Sequence, residues 1–390
     1  MKVLHLVKTA VGASWAVRQM RELVRQGIEV HVAMPCGPMR QAYKRVGVKC
    51  HRLSPELAPL RPHETLHRAN ALSRLVETVS PDIVHSHFVS STLLMRLALR
   101  NKRIPRIFHI PGPLHLEHNL YRAIDIKTAN RDDYYLASCK WTQNALMRFG
   151  MEENRVGLAY YGVTANEFQK KEVTRTVNLR TLINANNDDF IVGMVAYFYA
   201  PKRFLGQKRG LKGHEDLIDA IALVRKKYKN LRCVFIGGPW GNANQYFESV
   251  KHYAAERLGD HCSFLGTRKD VPALYPQIDL AVHPSHSENV GGAVESLYSQ
   301  VPTLTTNVGG FPDLIEQGVT GLMAEAKNPH SLAEQIEYAY TNRPEMVLMA
   351  QRGLEKVSKI MDVSKNGLEV SSFYEHVIKH HREALYEKAS

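Results

Sequence analysis

Between residues 283 and 321 the chain reads HPSHSENVGGAVESLYSQVPTLTTNVGGFPDLIEQGVTG, and the residue types in this segment are suited to chemistry. An apolar strand ends, Pro284 and Ser285 turn the chain, and Glu288 follows in a loop. Gly291 and Gly292 then leave the backbone bare before a helix that carries Glu295 in its first turns. Glycines let a ligand approach the peptide N–H groups. A helix start offers unpaired N–H donors and about half a positive charge, which suits a diphosphate. Glu288, Val290 and Glu295 are the candidates for holding ribose and sugar, the two carboxylates as acceptors for hydroxyls. Glycine-rich turns also precede helices throughout α/β folds without any ligand, so this segment alone leaves both readings open. His85-Ser-His87 and His380-His381 are the pairs that hint at a metal. Neither has a third ligand in the sequence, so both are read as structural or exposed, and no metal is expected.

These residues need elements to position them. VLHLV (3–7) reads as a strand, followed by a loop with Gly12 and a helix that Ser14 can cap. Val17, Met20 and Val24 recur at helical spacing, Gly27 stands where a helix ends, and IEVHVAM is a second strand. Such a β-α-β unit implies a parallel sheet covered on both faces. Residues 82–87, 106–110, 134–138 and 155–159 continue the series as strands. A second series follows, with strands at 190–196, 231–238, 277–284 and 302–306 and a helix over 213–228. The polar, irregular stretch 162–189 reads as a linker. The expected fold is α/β: two Rossmann-like, doubly wound domains, 1–165 and 166–369, facing a central cleft. An amphipathic helix over 370–390 carries Phe373, Val377, Ile378 and Leu385 on its apolar side. Ligands of open α/β sheets bind at the carboxyl ends of the strands, which is where the glycine-rich segment falls.

Composition agrees. A chain of 390 residues exceeds the roughly 250–300 that one core supports, so two domains are expected. No apolar run approaches the ~18 residues of a membrane span. The apolar start of MKVLHLVKTA is broken by His5 and Lys8, unlike a signal peptide, so a cytoplasmic protein is expected. Five scattered cysteines predict no disulfide framework. Charge is uneven: residues 1–165 hold 24 basic against 12 acidic side chains, the remainder 27 against 26. A basic first half fits an anionic partner: a membrane surface, a nucleic acid or a phosphorylated acceptor. The basic residues lie on helices without interleaved stacking aromatics and no recognition motif appears, so nucleic acid is not the expected partner. No GxGxxG follows the first strand, which disfavours a nicotinamide dehydrogenase, and no GxxxxGK[ST] loop supports a P-loop kinase. No Asp-x-Asp occurs to carry the divalent metal of single-domain nucleotide-sugar transferases.

The segment 283–321 resembles the donor site of retaining GT-B glycosyltransferases of family four, glycosyl transferases group 1. Glu288, Glu295, Val301 and Pro302 follow the family's order of two glutamates about a glycine loop, a short helix and a VP turn, and 307–321 is similar to the stretch that shapes the pocket floor. The resemblance extends over nearly the whole chain, through Gly12, IVHSH, FHIPGP with His109, ASCKWTQNALMRFG, GLAYYGVTANEF and LKGHEDLIDAI with Lys212. It implies a nucleoside-diphosphate sugar as donor substrate, no cofactor and no metal. It places Gly12, Lys212, Gly291 and Gly292 at the donor diphosphate and His109 near the reacting sugar, with Lys212 and Glu288 joining His109 as the catalytic set. It further implies retention of configuration by front-face attack, with the leaving phosphate helping to deprotonate the acceptor, and a C-terminal helix that returns to the N-terminal domain. There are departures. Glu288 and Glu295 are separated by six residues, one fewer than in the family. Met194 takes the place of an arginine, and an insertion, YFYAPKRFLGQKRG, precedes Lys212, so Arg209, Lys202 or Arg203 becomes the candidate second phosphate cation. The expected function is transfer of a sugar to a glycan, lipid-linked or phosphorylated acceptor in cell-surface polysaccharide synthesis. The expected location is the cytoplasm, peripherally on the inner face of the membrane. The alternatives are a GT-B-like sugar-nucleotide epimerase and a basic membrane- or nucleic-acid-binding protein without catalysis.

Overall fold

The computed structural model describes residues 1–165, 177–203 and 206–386. The chain forms two compact units: Met1–Thr164 together with Met361–Ser390, and Ala165–Ile360.

The first unit is a seven-stranded sheet of β1 (Lys2–Leu6), β2 (Glu29–Met34), β3 (Lys49–Arg52), β4 (Ile83–Ser86), β5 (Arg106–Ile110), β6 (Asp133–Ala137) and β7 (Val156–Leu158). Their spatial order is β3-β2-β1-β4-β5-β6-β7, with all pairs parallel. The strands are near-continuous apolar runs because both faces are covered. On one face Val3, Val30, Ile83 and Ile107 pack against Ala16, Met20 and Leu23 of the helix Ser14–Arg25 and against Val370, Tyr374 and Val377 of the helix Val363–Tyr386. On the other, Leu4, Leu6 and Val84 meet Leu72 and Val76 of the helix Pro62–Val79 and Leu94 and Met95 of the helix Val89–Ala98.

Several local expectations change. Ser14 is the first residue of its helix, not the cap; Ala13 takes the cap position in a left-handed conformation with no side-chain cap bond. The returning helix starts at Val363, ahead of the expected 370, because Gly162 lies against the Val363 backbone and Val163 pairs with Asp362, which anchors the chain there. Arg96 and Arg106, two of the 24 basic residues of the first half, are 6% and 1% exposed. Arg96 binds Asp125 at 2.8 Å and Asp133 at 3.2 Å, and Arg106 binds Asp133 at 2.9 Å. These two guanidiniums neutralise buried carboxylates and add nothing to a surface field.

The second unit is a six-stranded parallel sheet of β8 (Phe190–Val195), β9 (Leu231–Ile236), β10 (Cys262–Phe264), β11 (Leu280–His283), β12 (Thr303–Thr306) and β13 (Leu322–Ala324), ordered β10-β9-β8-β11-β12-β13. The order reverses between β8 and β11, so a crevice opens at their carboxyl ends. One face is covered by the helices His214–Val224, Asn244–Leu258 and Pro329–Thr341, the other by Leu179, Ile183, Leu274 and Tyr275. Leu179 and Ile183 fall within the stretch read as linker, yet they are core residues of this unit; residues 166–176 of that stretch lie outside the described residues. The three short edge strands β3, β10 and β13 were not expected. Each puts only one or two residues on a face, too few for a period to stand out.

His214, the first residue of its helix, is buried with its ring stacked on Phe198 at 3.8 Å. Burial lowers its pKa to about 3, with Lys212 nearby adding to the effect. It is neutral when folded and takes up a proton when unfolded, so its contribution is present above pH 6.5 and is lost as pH falls from there toward 3. Urea unfolding at pH 7 and pH 5 is expected to show a stability loss that His214→Phe reduces by about 2 kcal/mol. An equal loss in both proteins would refute the assignment.

Candidate active site

The crevice in the second unit holds a cavity of about 330 Å³, lined by Tyr197, Tyr199, Lys212, Thr267, Arg268, His283, Ser285, Glu288, Gly291, Gly292 and Glu295 among others. The lining residues come from strand ends, the loops that follow them and the first turns of the helices beyond, as the doubly wound architecture requires.

Two loops make the polar floor. The first carries Lys212 and Gly213, just before the helix His214–Val224. Gly213 has φ +76°, and a Cβ there would strike the Pro284 carbonyl of the second loop. Only glycine allows that approach. The His286 N–H also donates to the Leu211 carbonyl at 2.8 Å, which joins the loops a second time. Lys212 Nζ is thereby brought into an ion pair with Glu288 Oε2. Glu288 Oε1 accepts from the Asn289 N–H at 3.1 Å, and Ser285 Oγ donates to Oε2 at 3.4 Å. From behind, the Gly310 N–H reaches the Glu288 carbonyl at 3.3 Å and Thr306 Oγ1 donates to the Ser285 carbonyl at 2.6 Å. The stretch 307–321 therefore braces the Glu288 loop and does not line the cavity.

Above this floor the helix Gly291–Tyr298 begins, with Gly291, Gly292 and Glu295 all facing the cavity. The absence of a side chain at Gly292 matters, since a Cβ there would stand 3.1 Å from His283 Nδ1. Ser296 Oγ donates to the Ala293 carbonyl at 3.1 Å and lies 3.0 Å from His283 Nε2, so Nε2 carries the imidazole proton and Nδ1 presents a bare lone pair. Burial keeps this imidazole neutral, with a pKa lowered to about 4. A cation, a set of helix N–H donors, two carboxylates and a neutral imidazole thus converge on one cavity. That combination can bind an anionic phosphoryl group beside hydroxyls and stabilise charge that develops on a leaving phosphate.

The structure brings together Lys212, Glu288, Gly291, Gly292 and Glu295 of the residues expected from sequence. It places others elsewhere. Arg209 is not a lining residue; its guanidinium is held by Asp216 at 2.5 Å, Asp219 at 2.7 Å and Tyr253 Oη at 3.1 Å. Val290 precedes the helix with 2% exposure and does not line the cavity. Met194, at the position of the expected arginine, does line the cavity, but from inside β8 and with 2% exposure, so it brings an apolar side chain and no cation. Arg268 supplies a second lining cation, fixed by Asp270 through bonds of 2.8 and 2.6 Å. Arg268 and His283 were not singled out in the sequence. For His283 the available signal was its place as the last residue of a buried strand; for Arg268 none existed.

Gly12 and His109 belong to the first unit. Gly12 has φ +71°, in the loop after β1, with no heavy atom within 4 Å of where a Cβ would stand. His109, on β5, is fully buried, with Nε2 2.9 Å from the Ala159 carbonyl and Nδ1 3.3 Å from Gln19 Nε2. Its ring stacks on Tyr161 at 4.0 Å, and burial lowers its pKa to about 3.

Residues 12–167 match the family model described as Glycosyltransferase Family 4, and residues 203–356 match that described as Glycosyl transferases group 1. The D-inositol 3-phosphate glycosyltransferase of Corynebacterium glutamicum is 24% identical over 92% of this chain and 89% of its own length. The putative glycosyltransferase EpsD of Bacillus subtilis is 25% identical over 83% of this chain and 82% of its own. Among solved structures, Anabaena HepE in complex with UDP and glucose superposes with a TM-score of 0.77 at 19% identity, covering 95% of this chain and 98% of that one. The two parallel sheets and the paired family models, one on each half, define a GT-B glycosyltransferase. The chain belongs to the glycosyl transferases of group 1.

Lys212→Ala removes the cavity's central cation. It is expected to raise the transfer barrier by about 2.7–4 kcal/mol, roughly 10²–10³ in rate, as for a lost oxyanion donor. Arg268→Ala is expected to weaken nucleotide binding by about tenfold or more, whereas Arg209→Ala acts on thermal stability and leaves nucleotide affinity close to that of the parent. A parent-like rate in the lysine variant, or the reverse ordering of the two arginines, would overturn these assignments.

Proposed function

We propose that this chain moves a sugar from a nucleoside diphosphate to a phosphorylated or lipid-linked acceptor, with retention of configuration and without a metal ion. The observation that carries the reading is the convergence of Lys212, Glu288, Glu295 and the bare helix start at Gly291–Gly292 on one cavity. Cleavage of the donor builds charge on the leaving diphosphate. Lys212 and the helix N–H groups answer that charge, which is the task a divalent ion performs elsewhere, with Arg268 as the second fixed cation. The ion pair of Lys212 with Glu288 opens as the phosphate takes the lysine, which frees the carboxylate for a sugar hydroxyl. The leaving phosphate oxygen then takes the acceptor's proton on the face from which it departs. Uridine is the base to test first, because HepE, which shares this fold, carries UDP and glucose.

The acceptor reading rests on charge. The first 165 residues keep an excess of basic side chains, and a relative is named for inositol 3-phosphate. Leu120, Tyr121 and Ile124 are exposed on the helix Asn119–Thr128 beside exposed Lys127, which suits a cytoplasmic enzyme docked peripherally on an anionic inner membrane face. No helix among the described residues is long and apolar enough to cross a membrane.

Calorimetric titration of UDP, GDP, ADP and CMP in EDTA tests the donor site. One nucleotide is expected to bind the parent and to lose that binding in Lys212→Ala; absence of binding by all four would sink the reading. For the acceptor face, cosedimentation with anionic vesicles is expected at low salt and is expected to fall as salt rises. Equal binding to neutral vesicles would reject the charge argument.

A further inference from the structure

His5 on β1, His85 on β4 and His87 just beyond it stand side by side in the core of the first unit, each with no exposed surface. The register explains the meeting: His5 pairs with His85 across parallel strands, and His87 follows His85 on the same face. One ring nitrogen from each lies within 4.8 Å of the other two. Packing imidazoles together in an apolar layer forfeits hydration that each polar nitrogen must recover from a partner.

The partners fall into a pattern. Tyr161 Oη donates to the His109 carbonyl at 3.2 Å, so at 2.9 Å it accepts from His87 Nδ1–H. Tyr374 Oη lies 2.5 Å from His85 Nδ1 and 3.4 Å from His5 Nε2. Each ring thus turns one nitrogen to a tyrosine oxygen. The nitrogens left over are His5 Nδ1, His85 Nε2 and His87 Nε2. His5 Nδ1 and His87 Nε2 face each other at 3.0 Å, and the buried His85 Nε2 has no hydrogen-bond partner. Without an ion His5 Nδ1–H donates to His87 Nε2; an ion requires the His5 proton to move to Nε2, on the Tyr374 side, and all three lone pairs then point inward.

We propose that His5 Nδ1, His85 Nε2 and His87 Nε2 form a buried site for one transition-metal ion of the zinc and cobalt class, acquired as the unit folds. An all-imidazole set suits these ions and not magnesium or calcium, which take oxygen. Tetrahedral ligands at 2.0–2.1 Å stand about 3.3 Å apart, near the 3.0 Å between His5 and His87. Metal-bound histidines hold their outer N–H on an acceptor, the part Tyr161 and Tyr374 play here. Burial keeps the imidazoles neutral, which is the ligating form. The ion would fasten β1 and β4 to the helix Val363–Tyr386 through Tyr374, independently of the donor cavity.

The test uses untagged full-length protein, unfolded with chelator, refolded with Co²⁺ or Zn²⁺ and desalted. One ion per chain is expected, with the visible bands of tetrahedral cobalt, and zinc X-ray absorption reporting three imidazoles. His85→Gln and His87→Gln are each expected to lose the ion, whereas His376→Gln, on the surface, keeps it. Parent protein that retains no ion, or an ion that survives in either variant, overturns the site. Should both variants fail to fold, the absorption spectrum of the parent decides: fewer than three imidazoles rejects the proposal.

Discussion

A lysine and a glutamate that would each be costly alone in a half-buried cavity hold one another, and much of the second unit is arranged to let them meet. Lys212 and Glu288 come from loops far apart in sequence, after different strands. Their contact depends on Gly213 fitting under the Pro284 carbonyl and on the bond between the His286 N–H and the Leu211 carbonyl. The same pair sets the polarity of the cavity. Paired, neither charge is stranded when the cavity lacks an anion; separated by a phosphate, each gains a partner of its own.

Behind that floor runs a second polar chain. His286 bonds Asp216, Asp216 bonds Arg209, and Arg209 reaches Asp219 and Tyr253. Arg209 therefore belongs to the packing behind the loop that carries Glu288, where it adds to stability and does not reach the cavity. A cation this close in sequence to Lys212 reads as a phosphate ligand until its two aspartates are seen. The opposite holds for Arg268, which has no motif around it and yet faces the cavity.

The first unit shows how charge and polarity are absorbed by packing. Arg96 and Arg106 look like part of a basic surface, but Asp125 and Asp133 are buried with them, and removing one partner would leave the others uncompensated. His5, His85 and His109 alternate with Leu4, Leu6, Val84, Phe108 and Ile110 along their strands, with His87 just beyond β4, and the side facing the helices Ser14–Arg25 and Val363–Tyr386 is lined by imidazoles where aliphatic side chains would be ordinary.

Much of this was legible in the sequence. Largely apolar runs such as RIFHI and FIVGMV bounded by turns determined the strands, because a strand buried on both faces reads as a near-continuous apolar run. The glycine pair ahead of Glu295, at the end of a buried strand, determined where an anion could bind, because a helix start is a local property of the backbone. Tertiary structure alone decided which side chains share the cavity. His283 enters it because Ser296 orients its ring, Arg268 because a short loop follows an edge strand, and Val290 leaves it because the chain buries that residue. It alone brought His5 to His85 and His87, eighty residues on, through strand register. A pair of histidines in sequence lacks a third partner until β1 and β4 lie side by side, and pairing between distant strands has no signature in either strand taken singly.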